Sequence, residues 1–167
     1  MPSDEWEMAL EWIGAFLIIL GIALLIAGLV QIAFAKIRDT GLVKKGLYAW
    51  VRHPQYLGII VWIFGDVLYG LRPADFVLWT TLVVLYLILA ESEENALVKE
   101  YGGEYLVYKK HVPFILPFMP PESLQWFTKL SQEKMWRKVT IYLGFYILIV
   151  TSLLLILYAV TIEVGLH

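Results

Sequence analysis

An arginine and a histidine directly precede a proline in residues 48–58, YAWVRHPQYLG, where a polar segment becomes apolar. Pro54 suits the first turn of a helix, because the N–H that proline lacks has no partner there in any case. Arg52 and His53 could therefore contribute to a pocket beside a helix start. They could equally extend toward water at a membrane interface, the commoner role for these residue types. The residues alone leave both roles open.

A second group of chemically active side chains is acidic. Glu91, Glu93 and Glu94 lie close together at the end of an apolar run. Like charges at this spacing repel, so either a solvated helix end tolerates them or a cationic ligand explains them. One leucine and three tyrosines follow at roughly helical spacing: Leu97, Tyr101, Tyr105 and Tyr108. The glycine pair at 102–103 is predicted to bend or break that helix. These tyrosines could anchor the chain at an interface or line a pocket for an apolar, partly cationic molecule.

The two groups together suggest a pocket at the membrane surface, open toward lipid. Other site classes are disfavoured, because the sequence has no Gly-rich phosphate loop, no Walker lysine and no H-E-x-x-H pair. His53, His111 and His167 are too scattered to predict a metal site. The absence of cysteine excludes disulfides, thiolate metal sites and cysteine nucleophiles. Nothing resembles a nucleic-acid-binding module.

The elements that must position this pocket are predicted to be membrane helices. The chain of 167 residues is 60% apolar and has a mean hydropathy of +0.71. Residues 12–35 and 139–162 are two uncharged runs, each longer than the ~20 residues that cross a bilayer. Two shorter apolar runs, 57–71 and 74–90, are joined by a Gly-Leu-Arg-Pro turn. The pattern predicts one all-α membrane domain over residues 1–167, with four spans and the middle two forming a hairpin.

The distribution of basic residues predicts the orientation. With four spans, twelve of the thirteen Lys and Arg residues fall on one side, within segments 36–52, 99–110 and 129–138, leaving Arg72 at the hairpin tip. The positive-inside rule makes that side cytoplasmic, so both termini are predicted to lie outside. The acidic N-terminus does not suit a cleaved signal peptide, so we expect the first helix to be retained.

Two further features bear on packing. Residues 122–138 follow two prolines and place apolar residues at three-residue steps beside basic ones, which predicts an interfacial helix or a plain basic connector. Gly14, Gly21 and Gly28 recur every seven residues and so share one stripe of the first helix. Small residues on one stripe let another helix approach closely, and we favour a partner within the chain over a second protomer. The oligomeric state is left open.

Two separated motifs resemble a known family. "GLYAWVRHPQYLG", followed by the predicted hairpin and then by "EENALVKEYGGEYLVYKKHVPFILP", resembles the isoprenylcysteine carboxyl methyltransferases and their phospholipid methyltransferase relatives. The resemblance covers residues 40–117. It implies a membrane enzyme that binds S-adenosylmethionine in a cytoplasmic pocket and methylates a lipid-like or prenylated substrate.

The resemblance also implies the site residues. The family's cofactor contacts correspond to Thr40, Gly41, Leu42, Val43, Tyr48, His53, Pro54, Gln55, Tyr56 and Glu93. His53 and backbone amides at a helix start are natural donors to the cofactor carboxylate, and Glu93 could accept from its amine or ribose. We assign Arg52 and Glu94 to catalysis, Glu94 as a possible proton acceptor, although Arg52 could instead pair with one of the glutamates.

One position departs from the family pattern. The isoprenylcysteine enzymes have an arginine four residues before Glu93 that is thought to meet the substrate, and this chain has Leu89 there. A buried substrate carboxylate would need such a cation, so a phospholipid amine or another lipid-borne nucleophile is also a candidate acceptor.

Two alternatives to a methyltransferase remain open from the sequence. Sterol reductases carry a similar "RHPxYxG" turn and bind NADPH, whose phosphates Lys44, Lys45, Arg52 and Lys99 could meet. A non-catalytic membrane protein that keeps the scaffold and binds a lipid or a partner is the other, because a fold alone does not establish activity.

Overall fold

The computed structural model describes residues 3–120 and 135–163, and within these ranges every regular element is helical. The elements are α1 Ser3–Ile37, a short 3-10 helix Gly46–Ala49, α2 Pro54–Gly70, α3 Pro73–Tyr101, α4 Gly103–His111 and α5 Met135–Glu163. The predicted all-α class is therefore confirmed for the described part of the chain. Of the segment predicted as an interfacial helix, residues 122–134 lie outside the described residues and residues 135–138 begin α5.

Among the described residues, two helices are long and apolar enough to cross a bilayer by length and composition, Glu5–Ile37 within α1 and Pro73–Tyr101 in α3. Both contain a predicted span. The helix α2 has 17 residues and is shorter than a typical span. The count of four spans and the membrane hairpin stay predictions.

The glycine stripe of α1 packs against α2, so the predicted partner within the chain is confirmed. A Cβ atom added to Gly21 would lie 2.5 Å from the carbonyl oxygen of Gly58, and one added to Gly14 would lie 2.8 Å from that of Gly65. Gly28 meets the first turn of α2 in the same way. The order of these contacts makes α1 and α2 antiparallel. Glycine is needed on both sides, because two backbones this close leave no room for a side chain.

The helix α2 leads directly into α3 and contacts it. Leu71 ends α2 in the left-handed conformation with φ 47°, and Pro73 begins α3. The Trp79 indole N–H donates to the carbonyl oxygen of Ile60 at 3.0 Å, and the Trp79 and Phe64 rings lie 4.9 Å apart. These contacts hold the N-terminal half of α3 against α2. Because α3 is one continuous helix, they also fix where its acidic residues lie relative to the start of α2.

The acidic cluster lies inside α3, which continues eleven residues beyond the predicted span and ends at Tyr101. The break predicted at the glycine pair is confirmed, because Gly102 has φ 54° and α4 starts at Gly103. The chain then folds back, and the backbone N–H of Arg52 donates to the carbonyl oxygen of Pro113 at 2.9 Å. The loop before α2 and the segment after α3 therefore meet, as the sequence predicts.

Candidate active site

A buried carboxylate with two cationic partners organises the junction of the loop, α3 and α4. Glu94 is 1% exposed and contacts the guanidinium of Arg52, which is 4% exposed. The Lys109 Nζ lies 2.5 Å from the second oxygen of Glu94. Removing charges from water is costly unless each charge is paired, so these three residues depend on one another. The ion pair foreseen for Arg52 with one of the glutamates is present.

Two contacts hold Arg52 in the position from which it meets Glu94. The backbone hydrogen bond to Pro113 fixes its main chain, and its guanidinium carbon lies 5.2 Å from the centre of the Phe114 ring. A guanidinium over an aromatic face is attracted by the ring quadrupole. The segment after α4 thus supports the Arg52 side chain, whose charge Glu94 of α3 neutralises.

His53, Tyr56 and Glu93, all predicted from the sequence, are brought together beside the ion pair. The His53 ring is buried and stacks on Tyr56 with centres 5.4 Å apart. The Tyr56 hydroxyl donates to Glu93 Oε1 at 2.5 Å, and the His53 Nδ1 lies 3.7 Å from Glu93 Oε2. Its Nε2 lies 3.5 Å from Glu94, so His53 links the two glutamates.

A chain of hydrogen bonds links Tyr108, Tyr48 and Gln55. The Tyr108 hydroxyl donates to the carbonyl oxygen of Tyr48 at 2.6 Å, and the Tyr48 hydroxyl donates to Gln55 Oε1 at 2.8 Å. Burial raises the pKa of both tyrosines, so both remain neutral donors at physiological pH. These hydrogen bonds connect α4 to the loop and to the first turn of α2.

A cavity of about 440 Å³ lies against these groups, within the 300–1,000 Å³ typical of ligand sites. The loop contributes Gly41, Leu42 and Val43 to its wall, and Leu97, Tyr101 and Tyr105 face them from α3 and α4. Tyr48, Arg52 and Tyr108 also line it. Its aromatic and apolar walls with a few buried polar groups suit an organic ligand that has both an aromatic and a charged part.

The predicted site residues divide into two sets. Gly41, Leu42, Val43, Tyr48 and Arg52 line the cavity. His53, Pro54, Gln55, Tyr56, Glu93 and Glu94 are not among its described lining residues and belong to the network behind it. Thr40 is exposed, and its N–H donates to the carbonyl oxygen of Ala35 at 3.1 Å.

Tyr105 and Lys109 belong to the site but are not among the site residues assigned from the sequence. Tyr105 lines the cavity at 1% exposure, and its helical spacing from Tyr101 was the signal that pointed to it. Lys109 pairs with Glu94, but the adjacent Lys110 has the same residue type, so the sequence offers no means of choosing between them. A third lysine, Lys44, ties the loop to α4 through a 2.5 Å contact with the exposed Glu104.

Comparison with known proteins establishes the family of the chain. A family model described as phospholipid methyltransferase matches residues 9–104, more than half of the chain. The chain belongs to the phospholipid methyltransferase family. The match spans most of α1, all of α2 and α3 and the first two residues of α4, and so includes the loop and the glutamates of the candidate site. It also favours the methyltransferase interpretation over the reductase alternative.

Several curated relatives of this phospholipid methyltransferase family member carry the name protein-S-isoprenylcysteine O-methyltransferase. The mouse protein is 40% identical over 79 residues, which cover 47% of this chain and 28% of the relative. The Saccharomyces cerevisiae protein is 37% identical, covering 48% and 34%, and form B of Arabidopsis thaliana is 32% identical, covering 47% and 40%. The matched segment thus spans less than half the length of each. No solved structure gives a significant match.

Proposed function

We propose that this protein is an S-adenosylmethionine-dependent methyltransferase acting on a lipid-like or prenylated substrate at the cytoplasmic membrane surface. One observation carries the proposal: the cavity between the loop and α4 is lined by four of the residues assigned to the cofactor, Gly41, Leu42, Val43 and Tyr48. The family membership supports the reaction class. The names of the relatives support a prenylated cysteine as one acceptor.

The membrane topology is part of the proposal. We propose one membrane domain with four spans, the middle two a hairpin, and with both termini outside. Two helices that can span a bilayer and the placement of twelve basic residues on one side support this arrangement. The cavity then lies at the cytoplasmic end of α1 and α3.

The cavity fits the cofactor in size and chemistry. S-adenosylmethionine supplies an activated methyl group when it is bound. The tyrosine-rich wall can stack against an adenine ring, and the backbone of Gly41, with φ 74°, allows close approach of the loop. Glu93 joins the site through His53, which adjoins Arg52, and Gln55 joins it through Tyr48.

For Arg52 and Glu94 the contacts favour a positioning role within the proposed site. Glu94 is buried against Arg52, Lys109 and His53 and is not among the described residues that line the cavity. It therefore holds Arg52 in place. Direct methyl transfer needs positioning and exclusion of water more than a covalent intermediate on the protein, which suits such a site.

The acceptor class follows from the charges near α3. At the position where the isoprenylcysteine enzymes have an arginine, this chain has Leu89, whose side chain is exposed. Residues 73–98 contain no Lys or Arg. Two cations of the site, Arg52 and Lys109, are engaged by Glu94 of α3. We therefore propose that the acceptor set includes lipid amines as well as prenylcysteine carboxylates.

Ligand-dependent unfolding tests the proposed function. S-adenosylhomocysteine at 100 times its dissociation constant should stabilise the detergent-purified protein by about 2.7 kcal/mol. NADPH at the same concentration should leave the unfolding temperature unchanged. Stabilisation by NADPH alone would mean a reductase, and binding of S-adenosylhomocysteine without turnover of any lipid extract would favour the scaffold alternative.

The variant Glu93→Ala is expected to lose most of its affinity for S-adenosylhomocysteine, because Glu93 anchors Tyr56 and adjoins His53. Loss of a charged hydrogen-bond partner corresponds to about a 10- to 100-fold increase in the dissociation constant. Isothermal titration calorimetry measures it. The matched control is Glu104→Ala, which removes a carboxylate that is 54% exposed and lies outside the cavity wall. Unchanged affinity in Glu93→Ala would refute the assignment of Glu93.

A further inference from the structure

A second cavity, of about 460 Å³, lies between α3 and α5 on the side of α3 that faces away from the candidate site. Leu97 and Tyr101 line the cavity of the candidate site, and Ile88 and Ser92, each nine residues earlier, line the second cavity. Nine residues are about two and a half helical turns, so the two pairs point in opposite directions. A ligand of the second cavity is therefore separated from the candidate site by α3 itself.

Two hydrogen bonds between α5 and α3 lie at the ends of the second cavity. The hydroxyl oxygens of Tyr146 and Thr81 are 2.8 Å apart, and the Tyr142 hydroxyl donates to Glu91. Thr81 and Glu91 are about 15 Å apart along α3, whereas the two tyrosines are about 6 Å apart along α5. The two tyrosine side chains therefore diverge toward α3, and the cavity occupies the space between them.

The second cavity is apolar along most of its length and polar at one end. Its apolar wall is formed by four aliphatic side chains, Val84, Leu85, Ile88 and Leu143. Leu85 and Leu143 are exposed and lie within predicted spans, so the cavity opens toward the bilayer. The polar end has the side chains of Glu91, Ser92 and Asn95, directly beyond the predicted span 74–90. This arrangement suits an elongated amphiphile with its chain in the bilayer and its head group at the membrane surface.

Glu91 defines the head group that the polar end can recognise. Its side chain is 7% exposed, and Tyr142 donates to its Oε2. A carboxylate has about four lone-pair sites, so Glu91 can accept from a ligand as well. An ammonium supplies both a donor and the opposite charge. A phosphate would place a second negative charge beside Glu91, so an amine attached directly to the chain fits better than a phosphoethanolamine head group.

We propose that the second cavity binds a long-chain amine from the bilayer, with its ammonium at Glu91 and its chain between α3 and α5. A helix is about 10–12 Å across with its side chains, and reacting atoms must approach to about 3–3.5 Å. An amine in this cavity is therefore not the methyl acceptor. It bridges α3 and α5 and holds α5 against the helix that carries Glu93 and Glu94. The inference goes beyond the proposed function and does not depend on it.

Competition between two amphiphiles of equal chain length tests the site. The protein in phosphatidylcholine nanodiscs binds radiolabelled hexadecylamine, and unlabelled hexadecylamine or hexadecanol is added as the competitor. Hexadecanol has a neutral hydroxyl in place of the ammonium. The amine should compete about 10- to 100-fold more strongly than the alcohol, the range for hydrogen bonds to charged groups. In Glu91→Gln this preference should fall about tenfold, because glutamine can still accept from Tyr142 but carries no charge.

Glu100→Gln is the matched control, because it removes a carboxylate of α3 that lines the cavity of the candidate site instead. It should keep the full preference. Ile88→Trp fills the second cavity from a side chain that is 37% exposed, and it should lose binding of both amphiphiles. Saturating S-adenosylhomocysteine should leave amine binding unchanged.

Three results would overturn the proposed amine site. These are equal competition by the two amphiphiles in the unaltered protein, a full preference in Glu91→Gln, and displacement of the amine by S-adenosylhomocysteine. If Glu91→Gln does not fold, Ile88→Trp decides the question, because undiminished amine binding in that variant would place the amine outside the second cavity. None of these measurements requires methyltransferase activity.

Discussion

Replacing Glu94 with glutamine is expected to lower the free energy of unfolding by about 3–5 kcal/mol, the range for breaking a buried ion pair. Glutamine keeps the shape of the side chain, but the buried Arg52 and the partly exposed Lys109 lose their shared counter-charge. Unpaired buried charges are costly because the protein interior solvates them poorly. Chemical unfolding of the detergent-purified protein measures the change.

The chain offers a control with the same lysine-to-carboxylate distance. Lys44 lies 2.5 Å from Glu104, as Lys109 lies 2.5 Å from Glu94, but Glu104 is 54% exposed and Glu94 is buried. Glu104→Gln should therefore change the free energy of unfolding by at most about 1 kcal/mol. Similar effects of the two substitutions would contradict the description of Glu94 as the buried centre of the site.

Replacing Gly21 with alanine is expected to destabilise the contact between α1 and α2 by about 1–3 kcal/mol, the usual range for an overpacked interface. The new methyl group would meet backbone atoms of Gly58 and Trp62, which cannot move aside as a flexible side chain can. The two helices must separate, and the loop that follows α1 moves with them. A lower unfolding temperature in detergent is the expected observation.

The matched control is Gly144→Ala in α5, where no described atom lies within 4 Å of the added Cβ. Alanine also has the higher helix propensity, by about 1 kcal/mol, so this variant should be unchanged or slightly more stable. A Gly21→Ala protein as stable as Gly144→Ala would mean that α1 and α2 do not approach as closely as the contacts describe.

Sequence patterns within single segments were sufficient to predict much of the fold. The apolar runs predicted the helices, the glycine pair predicted the break between α3 and α4, and the seven-residue glycine spacing predicted a close helix contact. These features depend on residues near one another in the chain, whose conformational preferences act locally. The segment 122–134 lies outside the described residues, and four spans remain a prediction.

The candidate site also combines residues that the sequence assigned with contacts that it could not predict. From the sequence, His53, Tyr56 and Glu93 could be assigned to two motifs of one family, and the structure brings these three side chains together. It also left Arg52 with two possible roles, and raised the tyrosines of α4 either as interface anchors or as a pocket lining. Residue type and spacing could go no further, because neither describes what lies across a pocket.

Packing between distant elements determines which cations meet Glu94 and which of the tyrosines is fully buried. Lys109 and Lys110 are adjacent and identical in type, yet Lys109 makes the contact, because adjacent side chains of a helix point about 100° apart and the packed face of α4 includes Lys109. Arg52 reaches Glu94 across 42 positions of chain because the segment after α4 folds back onto the loop. Such pairs result from packing between distant elements, and no local propensity encodes them.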